Sequence, residues 1–221
     1  MRRYIAITAL SLLFLVLYLP RYASAGNISG NVKVKGLRSP ANVLVYVTKA
    51  APVSVDVSAA KFDMDQRNLT FIPHILPLLV GSSVQFPNND KVAHNVFSLS
   101  RTKTFNLGSY KPGASKTVVF DKPGIVELRC DVHAEMAAYI LVMKNPYWAI
   151  TDEKGQFRIP DTEYLERHSI KGIKELPPGE YSLKTWHEKL KSQKIAVDVP
   201  ESGKVSIQLD LTRGAPSTLY K

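Results

Sequence analysis

The stretch Leu128-Arg129-Cys130-Asp131-Val132-His133-Ala134-Glu135-Met136 sets a thiol, an imidazole and a thioether three residues apart. It also joins two runs of alternating polarity. Upstream, Val126, Leu128 and Cys130 share one parity, so a strand here turns all three to the same side; downstream, Met136, Ala138, Ile140 and Val142 do likewise. Cys130 and Met136 therefore stand at the facing ends of two inward-looking strand faces, with His133 in the turn between them. The best second imidazole is His94, 36 residues before Cys130, in Val84-Gln85-Phe86-Pro87-Asn88-Asn89-Asp90-Lys91-Val92-Ala93-His94-Asn95-Val96-Phe97, which reads as a strand, a polar turn and another strand.

His94, Cys130, His133 and Met136 form a ligand set of two imidazoles, one thiolate and one weak thioether. Soft sulfur donors favour Cu(I), imidazoles hold Cu(II), and the combination suits one copper ion that changes oxidation state with little rearrangement. Such a site transfers single electrons. At these residues the sequence resembles the cupredoxins, plastocyanin and amicyanin in particular. Val84-Gln85-Phe86, Asn88-Asn89 and His94-Asn95-Val96 look like their first-ligand loop, and Cys130-x2-His133-x2-Met136 has the short ligand-loop spacing of amicyanin. The resemblance covers residues 53–144. It implies an eight-stranded Greek-key sandwich with one type 1 copper at its end, Asn95 hydrogen-bonding across to brace the Cys130 loop, and His133 as the exposed ligand through which electrons pass. Ala134 departs from the pattern, since such loops often carry proline there.

The N-terminus reads as a cleavable leader. Met1-Arg2-Arg3 is a basic start, Ile5–Leu19 is an apolar run shorter than the ~20 residues of a membrane span, and Ala23-Ser24-Ala25 is a small-x-small cleavage site. A signal peptide over 1–25 implies an exported, periplasmic protein starting at Gly26. No later stretch is long and apolar enough to span a membrane. In that compartment an unpaired Cys130 is an oxidation liability, which favours a ligand role. Losing Arg2, Arg3 and Arg21 and no acid lowers the formal charge from +10 to +7. A basic surface can steer an acidic partner. Nucleic acid is not expected, because no basic run is interleaved with aromatics.

Asn27 to Thr48 reads as two strands on either side of the turn Gly36 to Pro40, with Val43, Val45 and Val47 on one parity. Past Pro52, Val53, Val55 and Val57 alternate as a further strand. After Asn145-Pro146 the character changes. Thr151-Asp152-Glu153-Lys154-Gly155-Gln156-Phe157 and Leu176-Pro177-Pro178-Gly179-Glu180-Tyr181 resemble the carboxypeptidase regulatory-like (transthyretin-like) domain, a seven-stranded β-sandwich whose Asp-x-x-Gly and Pro-Gly turns suit the residue types present. Strands 195–199 and 205–211 follow, a short helix carrying Leu165, His168 and Ile170 fits within 163–175, and 213–221 reads as a frayed tail. Residues 145–212 alone supply about five strands and would leave an apolar face uncovered. The expected organisation is therefore discontinuous, with 26–52 and 145–212 forming one sandwich and the 53–144 cupredoxin inserted between them. The whole resembles exported proteins of the methylamine-utilization type.

Other chemistries fit less well. Zinc would use His94, Cys130, His133 and a carboxylate from Asp131 or Glu135, yet copper outranks zinc at such donors and the thioether adds to its preference. A hydrolase with Cys130 as nucleophile and His133 as base would have awkward strand-turn geometry and no oxyanion hole. His74 reads as structural, His168 and His187 as surface groups, and Trp186 as core. The expectation is an all-β blue-copper protein, not an enzyme, that carries electrons between a redox donor and acceptor docking near His133. The alternative is a protein that stores or delivers copper.

Overall fold

The computed structural model describes residues 26–173, 175–215 and 218–220; the expected leader lies outside them. Apart from one short helix, the regular structure of the described residues is β. The ends of the chain share two sheets. Strand β1 (Asn27–Lys35) lies between β14 (Gln156–Ile159) and β17 (Lys204–Thr212), antiparallel to the first and parallel to the second over its whole length. Against it stands an antiparallel sheet in the order β13 (Trp148–Ile150), β2 (Leu44–Val47), β15 (Gly179–Trp186), β16 (Lys194–Val199). Ile28, Val32, Val43, Val45, Val47, Phe157, Ile159, Leu183, Val197 and Leu209 fill the space between these two sheets.

The middle of the chain builds a second pair of sheets. One is five-stranded, in the order β6 (Ile75–Leu79), β12 (Ala137–Met143), β11 (Gly124–Arg129), β8 (His94–Ser100), β9 (Lys103–Tyr110). The other has three strands, in the order β10 (Ser115–Val119), β7 (Ser83–Pro87), β3 (Phe62–Asp63). After β9 the chain crosses to the facing sheet as β10 and returns as β11 beside β8, the crossover of a Greek key. A ribbon of β4 (Asp65–Arg67) and β5 (Thr70–Ile72) turns through Asn68 and Leu69, both at positive φ. Alternation sets the core: Val84 and Phe86 are buried while Gln85 is exposed, and Val126 and Leu128 point in beside Val96, Ala138 and Ile140.

Residues 53–57 are not a strand. Val53 is exposed, an Asx turn from Ser58 N–H to Asp56 Oδ1 (2.8 Å) bends the chain, and regular pairing begins only at Phe62. The helix, α1 (Thr162–Arg167), is shorter than the expected segment. Asp161 caps it by accepting from Tyr164 N–H, while Leu165 and Ile170 are buried. The Asp-x-x-Gly turn forms as its chemistry suggests. Asp152 Oδ1 accepts from the N–H groups of Lys154 and Gln156, and Gly155 sits at φ 79° where a Cβ would lie 2.2 Å from the Val32 carbonyl.

The two pairs of sheets meet along an apolar junction. Leu44, Tyr46, Trp148 and Trp186, the outward parity of the β13-β2-β15 sheet, join one buried cluster with Leu141 and Met143 of β12. The expected frayed tail closes part of this seam: Leu219 is 2% exposed, and its carbonyl accepts from the Tyr46 hydroxyl at 2.5 Å. His187, expected at the surface, is 7% exposed; it directly follows Trp186, the buried last residue of β15. Beside it, His74 Nε2 lies 3.1 Å from Glu188 Oε1 and His187 Nδ1 lies 3.5 Å from Glu188 Oε2. Burial raises the Glu188 carboxyl, but the His74 hydrogen bond and the His187 charge outweigh it and hold the group down to about 2.

Two outcomes follow from this architecture. A fragment 145–221 lacks β1 and β2 and is expected to show no cooperative thermal melt, whereas 26–52 joined by a short linker to 145–212 is expected to melt cooperatively; a cooperative melt of 145–221 alone would mean the two units stand in tandem. The second concerns pH. The Glu188 hydrogen bond raises the His74 value above the ordinary 6.5, against burial, so the pair's contribution is full below that value and fades as pH rises through the raised one. His187 is shifted the opposite way, chiefly by burial, and is retained when His74 is replaced. His74→Gln should therefore lower Tm more at about pH 5.5 than at about pH 8.5; an equal loss at both would remove the ion pair from the junction's energetics.

Candidate metal centre

His94 opens β8 and is delivered by a polar turn that Asn88 holds closed. The Asn88 amide is fully buried, donates to the carbonyls of Val92 (2.9 Å) and Tyr110 (3.1 Å), and accepts the Asp90 N–H (3.0 Å). Cys130 follows the last residue of β11, where the β11–β12 register ends at Arg129 opposite Ala137. The chain then turns through His133, whose carbonyl accepts the Met136 N–H at 3.0 Å. Strand pairing brings β8 and β11 side by side in one sheet, and so sets the two ligand loops at the same end.

The side chains converge there. His94 Nδ1 lies 3.1 Å from His133 Nδ1, Cys130 Sγ lies 3.9 Å from His133 Nδ1, and one ligand atom from each residue falls within 4.8 Å of the others. Bonds of about 2.0–2.3 Å to a single ion separate its donor atoms by about 3–4 Å, so the spacing suits one metal with small side-chain adjustments. His94 and Cys130 are buried, His133 is half-buried, and Asp131, Val132, Ala134 and Glu135 are exposed around it. Met136 is 1% exposed at the loop's inner end. Among the described residues no carboxylate joins the cluster, and both carboxylates considered for zinc, Asp131 and Glu135, face solvent. The donor set fits copper better than zinc.

Two outer contacts differ from expectation. The Asn95 amide does not brace the Cys130 loop; it donates to Asn106 Oδ1 at 2.8 Å, while its own buried Oδ1 has no hydrogen-bond partner. The register shift between Asn95 and Phe97 in the β8–β9 pairing re-aims the side chain along β9. The other contact is one the sequence reading missed. Asp90 Oδ2 lies 2.9 Å from His94 Nε2, the ring nitrogen opposite the cluster, with the Asp90 side chain 9% and the His94 side chain 0% exposed. The Leu69 N–H, the His94 ring and the Lys91 N–H hold the Asp90 carboxyl down to about 2, so it is ionised at neutral pH. An ionised acceptor at Nε2 assigns the ring proton there and leaves Nδ1 with its lone pair toward Cys130 and His133. The only sequence signal was an aspartate four residues before a ligand histidine, inside a turn where aspartate needs no other explanation.

No family model matches the chain. Solved structures similar to it are cupredoxins and a copper enzyme, at low identity. A purple cupredoxin from Nitrosopumilus maritimus is 24% identical, with a TM-score of 0.34, over 38% of this chain and 99% of that one. A reduced amicyanin variant is 19% identical, with a TM-score of 0.36, over 45% of this chain and 91% of that one. A copper-containing nitrite reductase from Thermus scotoductus SA-01 is 21% identical, with a TM-score of 0.38, and the match spans 52% of this chain but only 28% of the reductase. At these values the likeness assigns no role to any residue; the donor set and its spacing carry the reading of the site.

Asp90→Asn removes the charge behind His94 while keeping the side-chain shape. Carboxylates behind metal-bound histidines are typically worth about 10–100-fold in metal affinity. Chelator competition should therefore show copper affinity falling roughly tenfold or more, with the cysteine's spectroscopic signature retained. Unchanged affinity would make the contact incidental to metal binding.

Proposed function

We propose that this chain is an exported blue-copper protein that carries single electrons between redox partners and is not itself an enzyme. The observation that carries this reading is the convergence of His94 Nδ1, Cys130 Sγ and His133 Nδ1 at one end of a Greek-key sandwich, around the chain's only cysteine. His94, Cys130 and His133 would hold the ion, with Met136 the weak fourth donor, since it is buried at the loop's inner end and Glu135 is not. When bound, copper supplies one-electron chemistry between Cu(I) and Cu(II).

The protein's part is to hold the donors still. Asp90 fixes the His94 ring and its tautomer, Asn88 closes the turn that presents it, and the core behind Cys130 excludes water. The Tyr110 phenol, pushed up to about 12 mainly by burial, stays neutral and donates to the Phe86 carbonyl at 3.0 Å, tying the His94 strand pair to the opposite sheet. His133 alone of the three meets solvent, amid the exposed Val132 and Ala134. A partner docking there comes within a few atoms of the Cys130 sulfur. The periplasm is the compartment proposed; its support is the leader pattern at 1–25.

Cu(II) added to the protein from Gly26 onward should give an intense thiolate-to-copper visible band that Cys130→Ser abolishes, because that transition needs a short copper–sulfur bond. A colourless Cu(II) complex of correctly folded protein would overturn the proposal. Fast reversible redox cycling with slow loss of copper to chelators supports a carrier. The reverse pattern supports a store.

A further inference from the structure

Away from the metal centre, the structure contains a cavity of about 440 Å³ at the junction between the two pairs of sheets. Its walls are the segment Thr48–Val53, Lys144 and Asn145, Lys184 of β15, Lys194 of β16, and Leu219 and Tyr220 of the tail. Among the described residues four lysines, Lys49, Lys144, Lys184 and Lys194, line it, and no aspartate or glutamate does. Among the described residues the ion pairs use Lys103 and Lys189, and none of these four.

The arrangement concentrates positive charge. Lys184 and Lys194 stand directly opposite each other across β15 and β16, on the same face, where like charges are destabilising. Burial, and then the Lys194 charge, hold the Lys184 ammonium below the ordinary lysine range. Its Nζ is held in place by the Thr218 carbonyl at 2.6 Å, and Lys144 Nζ lies 4.6 Å from the centre of the Tyr220 ring. Two of the four ammonium groups are thus positioned by neutral partners, and among the described residues no carboxylate pairs with either.

We propose that this cavity binds a small multivalent oxyanion of the phosphate class, free or as a phosphoester. A concave site of this size suits a small molecule, since ligand pockets run from about 300 to 1,000 Å³. Charge-assisted hydrogen bonds from several ammonium groups favour phosphate-type oxygens. Lys49 and Lys144 lie on the two chain segments that cross between the pairs of sheets, and Lys184 and Lys194 belong to one of the pairs. A bound anion therefore bridges the junction, and stabilises it in proportion to its occupancy.

The probe is inorganic pyrophosphate, titrated calorimetrically against the protein from Gly26 onward at ionic strength matched with sodium chloride. Saturable one-to-one binding with a rise in Tm is expected. Lys184→Gln with Lys194→Gln should weaken it by about tenfold or more, while Lys35→Gln with Lys204→Gln, an equal charge loss outside the cavity, should leave it within about twofold. The first pair relieves a like-charge contact but also removes the Lys184–Thr218 hydrogen bond, so its Tm is measured beside the parent's; if it fails to fold, Lys49→Gln with Lys144→Gln carries the same test. Vesicles of phosphatidylglycerol in phosphatidylcholine separate the two sources: binding of both probes identifies a lipid phosphate, and binding of pyrophosphate alone a soluble one. No saturable pyrophosphate binding, or equal weakening by the inner and outer variants, would overturn the proposal.

Discussion

Strand β2 has no solvent side, and the arrangement of the whole molecule depends on that. Val45 and Val47 face one way, into the core shared with the β14-β1-β17 sheet; Leu44 and Tyr46 face the other way, into the cluster that reaches β12. Fully burying a side chain of this size is worth about 1.5–3 kcal/mol, and β2 does so on both parities at once. Trp148 and Trp186 extend the outward face on either side. A polar residue at Leu44 or Tyr46 would leave the inner sandwich intact and strip the seam, so the two parities serve separate ends: one makes a sheet fold, the other fixes where the metal-bearing unit sits.

The unit that holds the His94, Cys130 and His133 cluster was largely legible in the sequence, because its signals are local. Alternation before Cys130 and after Met136 declares two strands, and ligand types at fixed short spacing declare the turn between them. The strand pairs holding the ends of the chain together were likewise suggested by turn chemistry, Asp152-x-x-Gly155 above all. The rest depends on tertiary contacts that periodicity does not carry. The continuous apolar run from Val43 to Val47 shows that both faces are buried but not by what. Val53, Val55 and Val57 alternate like a strand, yet have no neighbouring strand to pair with. His187 and Leu219 look like surface and tail residues until the seam closes over them.

At the site the same division holds. That His94, Cys130 and His133 belong together was suggested by residue type and spacing, whereas the side chains around them were not. Asp90 reaches His94 because Asn88 folds the turn back on itself, and Asn95 turns away from the Cys130 loop because of one irregularity in the β8–β9 ladder. Both depend on side-chain direction, which a shift of one residue reverses. The clustering of His94, Cys130 and His133 follows from two adjacent strands of one sheet, which is why it depends less on such details.

Both tryptophans of the chain, Trp148 and Trp186, are buried in the cluster that spans the seam, and neither indole N–H has a hydrogen-bond partner. All indole emission of this protein therefore originates between its two halves, from rings in an apolar setting. A blue-shifted spectrum is a direct optical gauge of whether the halves are in contact, and separation would redden it while both sandwiches remained folded. The sequence carries its own reporter for relative movement of the two pairs of sheets, with no label to attach.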